Sequence, residues 1–131
     1  MKGWHAVCMA VVLLLCGCGE VRGTLRDGRI QRSENRISGS YAEFDGAATY
    51  EIPLVRNATT RFRIASTTYD GTLTISLDDG TRNLFLKTAP AGESVTVDGR
   101  ETKTVTVHIT GKAHAGDFLI LWDRDEASEK E

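Results

Sequence analysis

The sequence predicts an all-β domain, a two-sheet antiparallel sandwich of about eight strands with a jelly-roll-like arrangement. From residue 36 onwards apolar and polar residues alternate with a period of two, and no window shows a helical period. Asp-Gly pairs, which favour tight turns, stand between the alternating runs at 45–46, 70–71, 79–80 and 98–99. Short strands separated by turns roughly every eight to twelve residues favour a sandwich, with a small barrel as the alternative.

Each predicted strand is a run with one apolar face. We expect strands at residues 36–44, 48–55, 60–67, 72–78, 82–88, 93–98, 102–110 and 116–123. The clearest hairpin runs from Thr72 to Lys87, with SLDDGTRN at its tip. Because Pro53 cannot donate a ladder hydrogen bond, the second strand is expected at a sheet edge or at a bulge.

The last strand, in GDFLILWDRD, is apolar on both faces. Phe118, Ile120 and Trp122 share one face, and Leu119 and Leu121 share the other. A strand of this kind is central and covered twice, or else it presents a patch to a partner. We expect the central position, with Trp122 in the core.

The first segment, MKGWHAVCMAVVLLLCGCG, has the pattern of a targeting signal. Lys2 provides a positive start, and the uncharged run from Ala6 to Leu15 is far shorter than the roughly 20 residues of a spanning helix. An ordinary signal or membrane anchor is one alternative. Metal or redox chemistry at the C-x-C pair is another, but it needs a folded setting and further ligands nearby.

The order Leu15-Cys16-Gly17-Cys18 resembles the lipobox of bacterial lipoproteins, in which leucine and two small residues precede an obligatory cysteine. The resemblance implies cleavage between Gly17 and Cys18 and lipidation of the Cys18 thiol. Choosing Cys16 as the acceptor instead would place two leucines where small residues belong. Attachment would be to the bacterial cell envelope, with the outer membrane or cell surface favoured because Gly19 and Glu20 lack the aspartate that marks inner-membrane retention in enterobacterial lipoproteins.

These assignments divide the chain into four parts. We expect a signal peptide at residues 1–17, a lipidated flexible tether at 18–35, the β-sandwich at 36–124 and a disordered charged tail at 125–131. The tether is predicted because this stretch is rich in glycine and charge and has few apolar residues. Its arginines are candidates for contact with anionic headgroups, but a solvated linker is the favoured interpretation because acidic residues are interspersed.

A second resemblance concerns the domain itself. The order TTRFRIASTTYDGTLTISLDDG, then ESVTVDG, then TVTVHITGKAHAGDFLILWD is similar to small bacterial lipoproteins of unknown function that have a single β-sandwich. The similar part covers roughly residues 45–123. It implies a fold more than a function.

Composition and motifs exclude several functions. The net charge of -2 gives no electrostatic reason to expect nucleic acid. No G-x-S-x-G, P-loop or H-E-x-x-H motif occurs, and both His108 and His114 are expected to face solvent. We therefore expect no enzyme, no cofactor and no metal. A calcium site at Asp70, Asp78 and Asp79 is an alternative to ordinary turn aspartates.

One surface is a candidate for ligand contact. Hydroxyl groups point outward from Thr72, Thr74 and Ser76 and from Thr104, Thr106 and Thr110, beside His108. If the two strands are adjacent, these side chains form a flat face able to bind a sugar or peptide, with Tyr69 and Asp70 in the turn TTYDG nearby. Threonine is also simply a favourable exposed strand residue. The candidate ligand contacts are Tyr69, Asp70, Thr72, Thr74, Thr104, Thr106 and His108.

The sequence thus predicts a membrane-anchored, non-catalytic binding or structural module of the bacterial envelope. Its expected partners are the lipid bilayer, through acylated Cys18, and an envelope protein or a glycan. The alternative is a carbohydrate-binding accessory module. An envelope hydrolase is a third and more distant interpretation.

Overall fold

The computed structural model describes residues 19–124, and these form seven strands that belong to one hydrogen-bonded sheet. The strands are β1 (Gly19–Arg26), β2 (Arg29–Ser33), β3 (Arg36–Pro53), β4 (Thr59–Asp78), β5 (Asn83–Thr88), β6 (Ala91–Asp98) and β7 (Thr104–Arg124). Every pairing is antiparallel. The all-β antiparallel prediction is therefore confirmed. Within this part of the chain no helix has the length and apolar character needed to span a membrane.

Three long strands of 18, 20 and 21 residues, β3, β4 and β7, build the centre of the sheet. The main order is β1-β3-β7-β4-β5, while β2 also pairs with β3 and β6 also pairs with β4. Register shifts interrupt the ladders between Tyr41 and Gly46 of β3 and between Thr68 and Thr72 of β4. Such irregularities bend a strand, and here they fold the sheet across its middle.

The bend divides the sheet into two layers. The first layer contains β2, β6 and one part of each long strand, residues 36–41 of β3, 59–68 of β4 and 116–124 of β7. The second layer contains β1, β5 and residues 46–53, 72–78 and 104–111. Since each long strand starts and finishes at the same end, we call that end the open end and the opposite one the bend end. A bond of 2.9 Å from the Arg32 guanidinium to the Glu51 carbonyl oxygen joins the layers near the open end.

A single apolar core fills the space between the layers. Its fully buried members come from both halves of the long strands and include Phe44, Phe62, Ile64, Leu73, Ile75, Leu77, Ile109 and Ile120. Each such side chain contributes roughly 1.5–3 kcal/mol by leaving water. The path from β1 to β5 does not close on itself, so the described part of the chain is a folded open sheet and the barrel alternative is wrong.

Strand boundaries differ from the prediction at the bends. The predicted pairs 36–44 with 48–55, 60–67 with 72–78, and 102–110 with 116–123 are each one continuous strand. Asp45-Gly46 and Asp70-Gly71 lie at bends inside β3 and β4 and do not end a strand. Gly71 has φ of +74°, and an added Cβ would collide with the carbonyl oxygen of Ala113 on β7. Glycine is needed there because the neighbouring backbone comes so close.

The predicted flexible tether over residues 18–35 is wrong for residues 19–33, which form β1 and β2. Both strands pair with β3, one on each side of its bend. Ile30 is buried in the core, and Val21 and Leu25 pack against it. These few apolar residues alternate with polar ones, and β3 already offers a ladder of backbone groups. Hydrogen bonding to the backbone of β3 therefore orders a segment whose composition alone suggests a linker.

Other predictions have mixed outcomes. β7 is central, between β3 and β4, and Trp122 is 8% exposed, as predicted, but the second apolar face of β7 is not covered, since Leu119 is 36% exposed. Of the two alternatives for the strand that contains Pro53, the edge position is wrong, since β3 pairs on both sides, and the bulge is present, between Tyr41 and Gly46. Pro53 is the last residue of β3, and the described part of β1 reaches only to Gly19, opposite Tyr50. The predicted signal peptide, Cys18 and the predicted tail at 125–131 lie outside the described residues.

Candidate ligand-binding face

Hydroxyl-bearing side chains meet on the outer surface of the second layer. Cross-strand partners place Thr49, His108 and Ser76 in one row, with Thr110 and Thr74 beside them in the next. The six residues Thr49, Thr74, Ser76, Thr106, His108 and Thr110 form what we call the hydroxyl face. Directly opposed residues in an antiparallel ladder point to the same side, and the alternate residues of the same strands are buried. The predicted face required the two strands that carry these residues, β4 and β7, to be adjacent. They pair directly in the sheet.

A histidine–carboxylate pair lies within this face. Nε2 of His108 is 2.8 Å from Oδ2 of Asp78, and the two side chains are 43% and 29% exposed. Thr106 lies opposite Asp78 in the ladder. A half-exposed pair of this kind presents both hydrogen-bond donors and acceptors to a ligand.

β5 extends the face at its edge. Leu86 lies opposite Ser76 and is 63% exposed, which gives the polar surface one apolar patch. Thr88 lies opposite Thr74, and their hydroxyl groups are 3.0 Å apart. The resulting surface is mostly polar and open to solvent.

The remaining predicted contacts lie at the margins of this face. Thr104 is opposite Pro53 at the open end, and Thr72 is opposite Lys112 near the bend. Tyr69 is 78% exposed and sits in the β4 irregularity at the bend end. It is five residues from Thr74, or roughly 16 Å at about 3.3 Å per residue. Only an extended ligand could contact both the hydroxyl face and the Tyr69 ring.

The three aspartates considered for calcium do not come together. Asp70 accepts the Gly71 N–H at 2.9 Å, at the bend end of β4. Asp78 is at the other end of that stretch and pairs with His108. Within residues 19–124 no three His, Cys, Asp or Glu side chains are grouped so that they could hold a metal ion. The calcium alternative therefore lacks a geometric basis among these aspartates.

Asp79 has a structural role in the β4–β5 turn. Its Oδ1 accepts the backbone N–H groups of Thr81 and Arg82 at 2.9 and 2.7 Å. These bonds to the charged form hold the pKa of the Asp79 carboxyl well below its usual range. The tip of the predicted hairpin from Thr72 to Lys87 is thus fixed by Asp79, together with Asp78, whose Oδ1 accepts the Gly80 N–H at 2.9 Å.

The prediction for His114 is wrong, because this side chain is fully buried. It lies in β7 opposite Phe44. The Tyr41 hydroxyl is 2.7 Å from Nδ1, and the Thr68 hydroxyl is 2.9 Å from Nε2. Burial lowers the pKa of His114 and raises that of Tyr41. Both ring nitrogens are occupied by hydroxyl groups, so His114 stabilises the bend and is closed to an external substrate.

A signal for the buried histidine exists in the sequence. Inward-facing residues of β7 are odd-numbered at Val105 and Ile109 but even-numbered at Phe118 and Trp122. A turn produces such a change of parity, and so does a bulge inside one continuous strand. A bulge places residues between Ile109 and Phe118 in the sheet, and one of them, His114, points into the core.

The open end carries a groove that no sequence pattern indicates. A depression of about 370 Å³ lies where strands of both layers finish, bordered by Glu34, Leu54, Val55, Thr60, Trp122 and Asp123 among others. The Arg32 guanidinium carbon lies 5.7 Å from the centre of the Trp122 ring. The residues that line the groove come from segments far apart in the chain, so no local motif could indicate it.

Comparison with known proteins gives structural similarity only. No protein-family model matches the chain, and no curated protein matches it by sequence. TmCBM61 in complex with β-1,4-galactotriose is 12% identical, over 82% of this chain and 88% of that one, with a TM-score of 0.46. The secreted serine protease VesC from Vibrio cholerae is 10% identical, over 89% of this chain and 27% of that one, with a TM-score of 0.46. The C-terminal CBM6 of LamC from Zobellia galactanivorans is 16% identical, over 75% of this chain and 90% of that one, with a TM-score of 0.40.

At identities this low and TM-scores below 0.5, the ligand and the activity of this chain have to be inferred from its own side chains.

Proposed function

We propose that this protein is a non-catalytic carbohydrate-binding module, held at the bacterial envelope by lipidated Cys18. The observation that carries the proposal is the hydroxyl face, with its His108–Asp78 pair at 2.8 Å. This choice favours the carbohydrate alternative over the broader expectation of a protein-binding or structural module, because the chemistry of the face matches that of a sugar.

A sugar offers many hydroxyl groups, each a donor and an acceptor. The threonine and serine hydroxyls of the face can fill either role, the Asp78 carboxylate accepts, and a ring N–H of His108 donates. Exposed Leu86 supplies an apolar contact for the C–H surface of a sugar ring. A solvent-exposed sheet face leaves much of the ligand in water, so we expect weak binding that accumulates along an extended polymer.

The arrangement of both histidines argues against hydrolysis. A catalytic base needs a nucleophile or water within hydrogen-bond reach and an orienting partner behind it. His108 has the partner, Asp78, but in the described part of the chain no hydroxyl bonds to its other nitrogen. His114 has hydroxyls on both nitrogens but is buried beyond the reach of substrate.

Binding can be tested by affinity electrophoresis and calorimetry against soluble xylan, galactan, β-glucans and peptidoglycan fragments. The informative variant is Ser76→Arg, which places a long charged side chain in the centre of the hydroxyl face. Its control is Ser38→Arg, since Ser38 has similar burial and also adjoins β7 but faces outward from the first layer. We expect Ser76→Arg to weaken binding by about tenfold or more, equivalent to about 1.4 kcal/mol, and Ser38→Arg to leave it unchanged.

Equal binding by both variants would place the ligand elsewhere. Hydrolysis that disappears on substitution of His108 would contradict the non-catalytic assignment. If no polysaccharide binds, the favoured interpretation would be a module that binds a protein partner or has a structural role.

The lipid anchor is tested by metabolic labelling with a fatty-acid analogue. We expect label on the wild-type protein and on Cys16→Ala but none on Cys18→Ala, because Leu15-Cys16-Gly17-Cys18 places the acceptor at Cys18. Label that persists in Cys18→Ala would show that the acceptor is misassigned.

A further inference from the structure

The sheet begins immediately after the proposed lipidation site. Gly19 is the first residue of β1 and lies opposite Tyr50 of β3. Because adjacent Cα atoms are about 3.8 Å apart, an acylated Cys18 is held within one residue of the folded domain. Tyr50 is three residues before Pro53 at the open end, a distance of roughly 10 Å along the strand. The anchor therefore leaves the domain close to the open end, with no flexible spacer between them.

An exposed apolar side chain lies at that same end. Val55, in the loop between β3 and β4, is 45% exposed, and its neighbour Arg56 is exposed as well. The loop is held at both of its limits, since the Leu54 N–H donates to the Lys103 carbonyl at 2.9 Å and the Gly99 N–H to the Ala58 carbonyl at 2.8 Å. A fixed loop with an apolar residue beside a cation suits the boundary between headgroups and acyl chains.

We propose that the open end of the sandwich faces the bilayer, with Val55 and Arg56 in contact with the lipid headgroups, while the bend end points away from it. This inference rests on the lipidation of Cys18 in the proposed function. The open end carries both acidic and basic side chains, among them Glu34, Asp123 and Lys103. The orientation is therefore set by the short anchor and by Val55, and we expect it on neutral as well as anionic lipid.

The orientation places the ligand-binding parts of the molecule away from the membrane. From Thr59 at the open end to Thr68 at the bend, β4 spans nine residue steps, or roughly 30 Å. Tyr69 is thus held far above a headgroup layer that is only about 5–8 Å thick. The hydroxyl face, whose strands run from one end to the other, looks sideways and stays accessible to a polymer that runs along the envelope.

Site-specific labelling of the full-length, lipidated protein tests this orientation. After signal cleavage Cys18 is the only cysteine, and acylation removes its thiol, so a single added cysteine takes a fluorophore selectively. The labelled positions are Val55→Cys and Tyr69→Cys, with Arg56→Cys as a second position at the open end. Proteins are reconstituted into vesicles of phosphatidylethanolamine and phosphatidylglycerol, and in parallel into phosphatidylcholine alone. Nitroxides on the headgroups quench nearby label, and iodide quenches label that is in water.

We expect headgroup nitroxides to quench label at residues 55 and 56 several-fold more than label at 69, and iodide to show the opposite order in both lipids. Equal or reversed quenching in a protein whose mass confirms the acyl chains would overturn the orientation and leave the glycan-binding proposal intact. A mass without acyl chains would overturn both the anchor and the orientation. Thermal melts of each labelled protein establish that it is folded, and agreement of positions 55 and 56 excludes an effect of one substitution.

Discussion

At the scale of single residues, the contrast between the two histidines shows how position in a sheet decides chemistry. They are six residues apart on β7, yet His108 is half-exposed beside a carboxylate and His114 is sealed between two hydroxyl groups. The irregularity of the ladder around Phe44 turns the second one inward. Since burial lowers the pKa of His114 below its ordinary value of about 6.5, folding favours the neutral ring.

This environment predicts acid sensitivity. A histidine with a depressed folded-state pKa contributes its full stability above the unfolded value of about 6.5. That contribution is lost as the pH falls through 6.5 towards the folded pKa, because only the unfolded chain takes up the proton readily. We expect the free energy of unfolding, measured in urea, to decline in the wild type as the pH falls below about 6.5.

In His114→Gln this part of the decline should be absent, although the variant is less stable at pH 7. A decline of the same size in both proteins would assign the acid sensitivity to other groups. His108→Gln is the matched control, and we expect it to retain the decline that His114 causes.

At the scale of elements, the bends are the features that sequence patterns describe least well. Asp-Gly is a strong turn signal, and at Asp79-Gly80 it marks a real hairpin turn. At Asp70-Gly71 the same dipeptide bends a strand that continues on both sides. The difference is made by β7, which pairs with β4 before and after the bend. A local signal cannot include a partner that lies forty residues further along the chain.

Two glycines with positive φ allow the strain at the bend to be measured. Gly71, with φ of +74°, has no space for a side chain beside Ala113, whereas Gly80, with φ of +96°, has nothing within 4 Å. Both substitutions by alanine incur a backbone cost of about 1–3 kcal/mol, but only Gly71→Ala adds a collision with backbone. We expect Gly71→Ala to lower the free energy of unfolding by more than Gly80→Ala, as measured by urea denaturation. Equal losses would indicate that the bend adjusts without strain.

At the scale of the whole molecule, the fold class and most of the core were predictable because alternation reports which face of each strand is buried. The candidate face was predictable in part, since Thr74, Thr106 and His108 point outward as expected. The positions of β1 and β2 were not, because their order comes from pairing with β3. The burial of His114 and the groove at Trp122 also depend on contacts between distant segments, for which a single sequence gives no direct signal.

The inclusion of β1 and β2 predicts where the folded domain begins. A protein that starts at Asn35 lacks both strands and the buried side chain of Ile30. We expect it to be less stable than a protein that starts at Gly19 by several kcal/mol, because Ile30 alone contributes roughly 1.5–3 kcal/mol and an edge of β3 is left unpaired. Equilibrium denaturation of the two proteins provides the measurement. Equal stability would mean that residues 19–33 do not contribute to the stability of the sandwich.

The central place of β7 has a consequence for how the chain acquires its fold. β7 lies between β3 and β4 in both layers, yet among the strands of residues 19–124 it comes last along the chain. The pair Arg36 and Leu121 closes a loop of more than half the chain, and contacts of such long range make folding slow. Until residue 104 and those after it are available, β3 and β4 have no partner between them. The pairings of β3 with β1 and β2 and of β4 with β5 and β6 do not need β7, but these two groups of strands join into one sheet only when β7 enters between them.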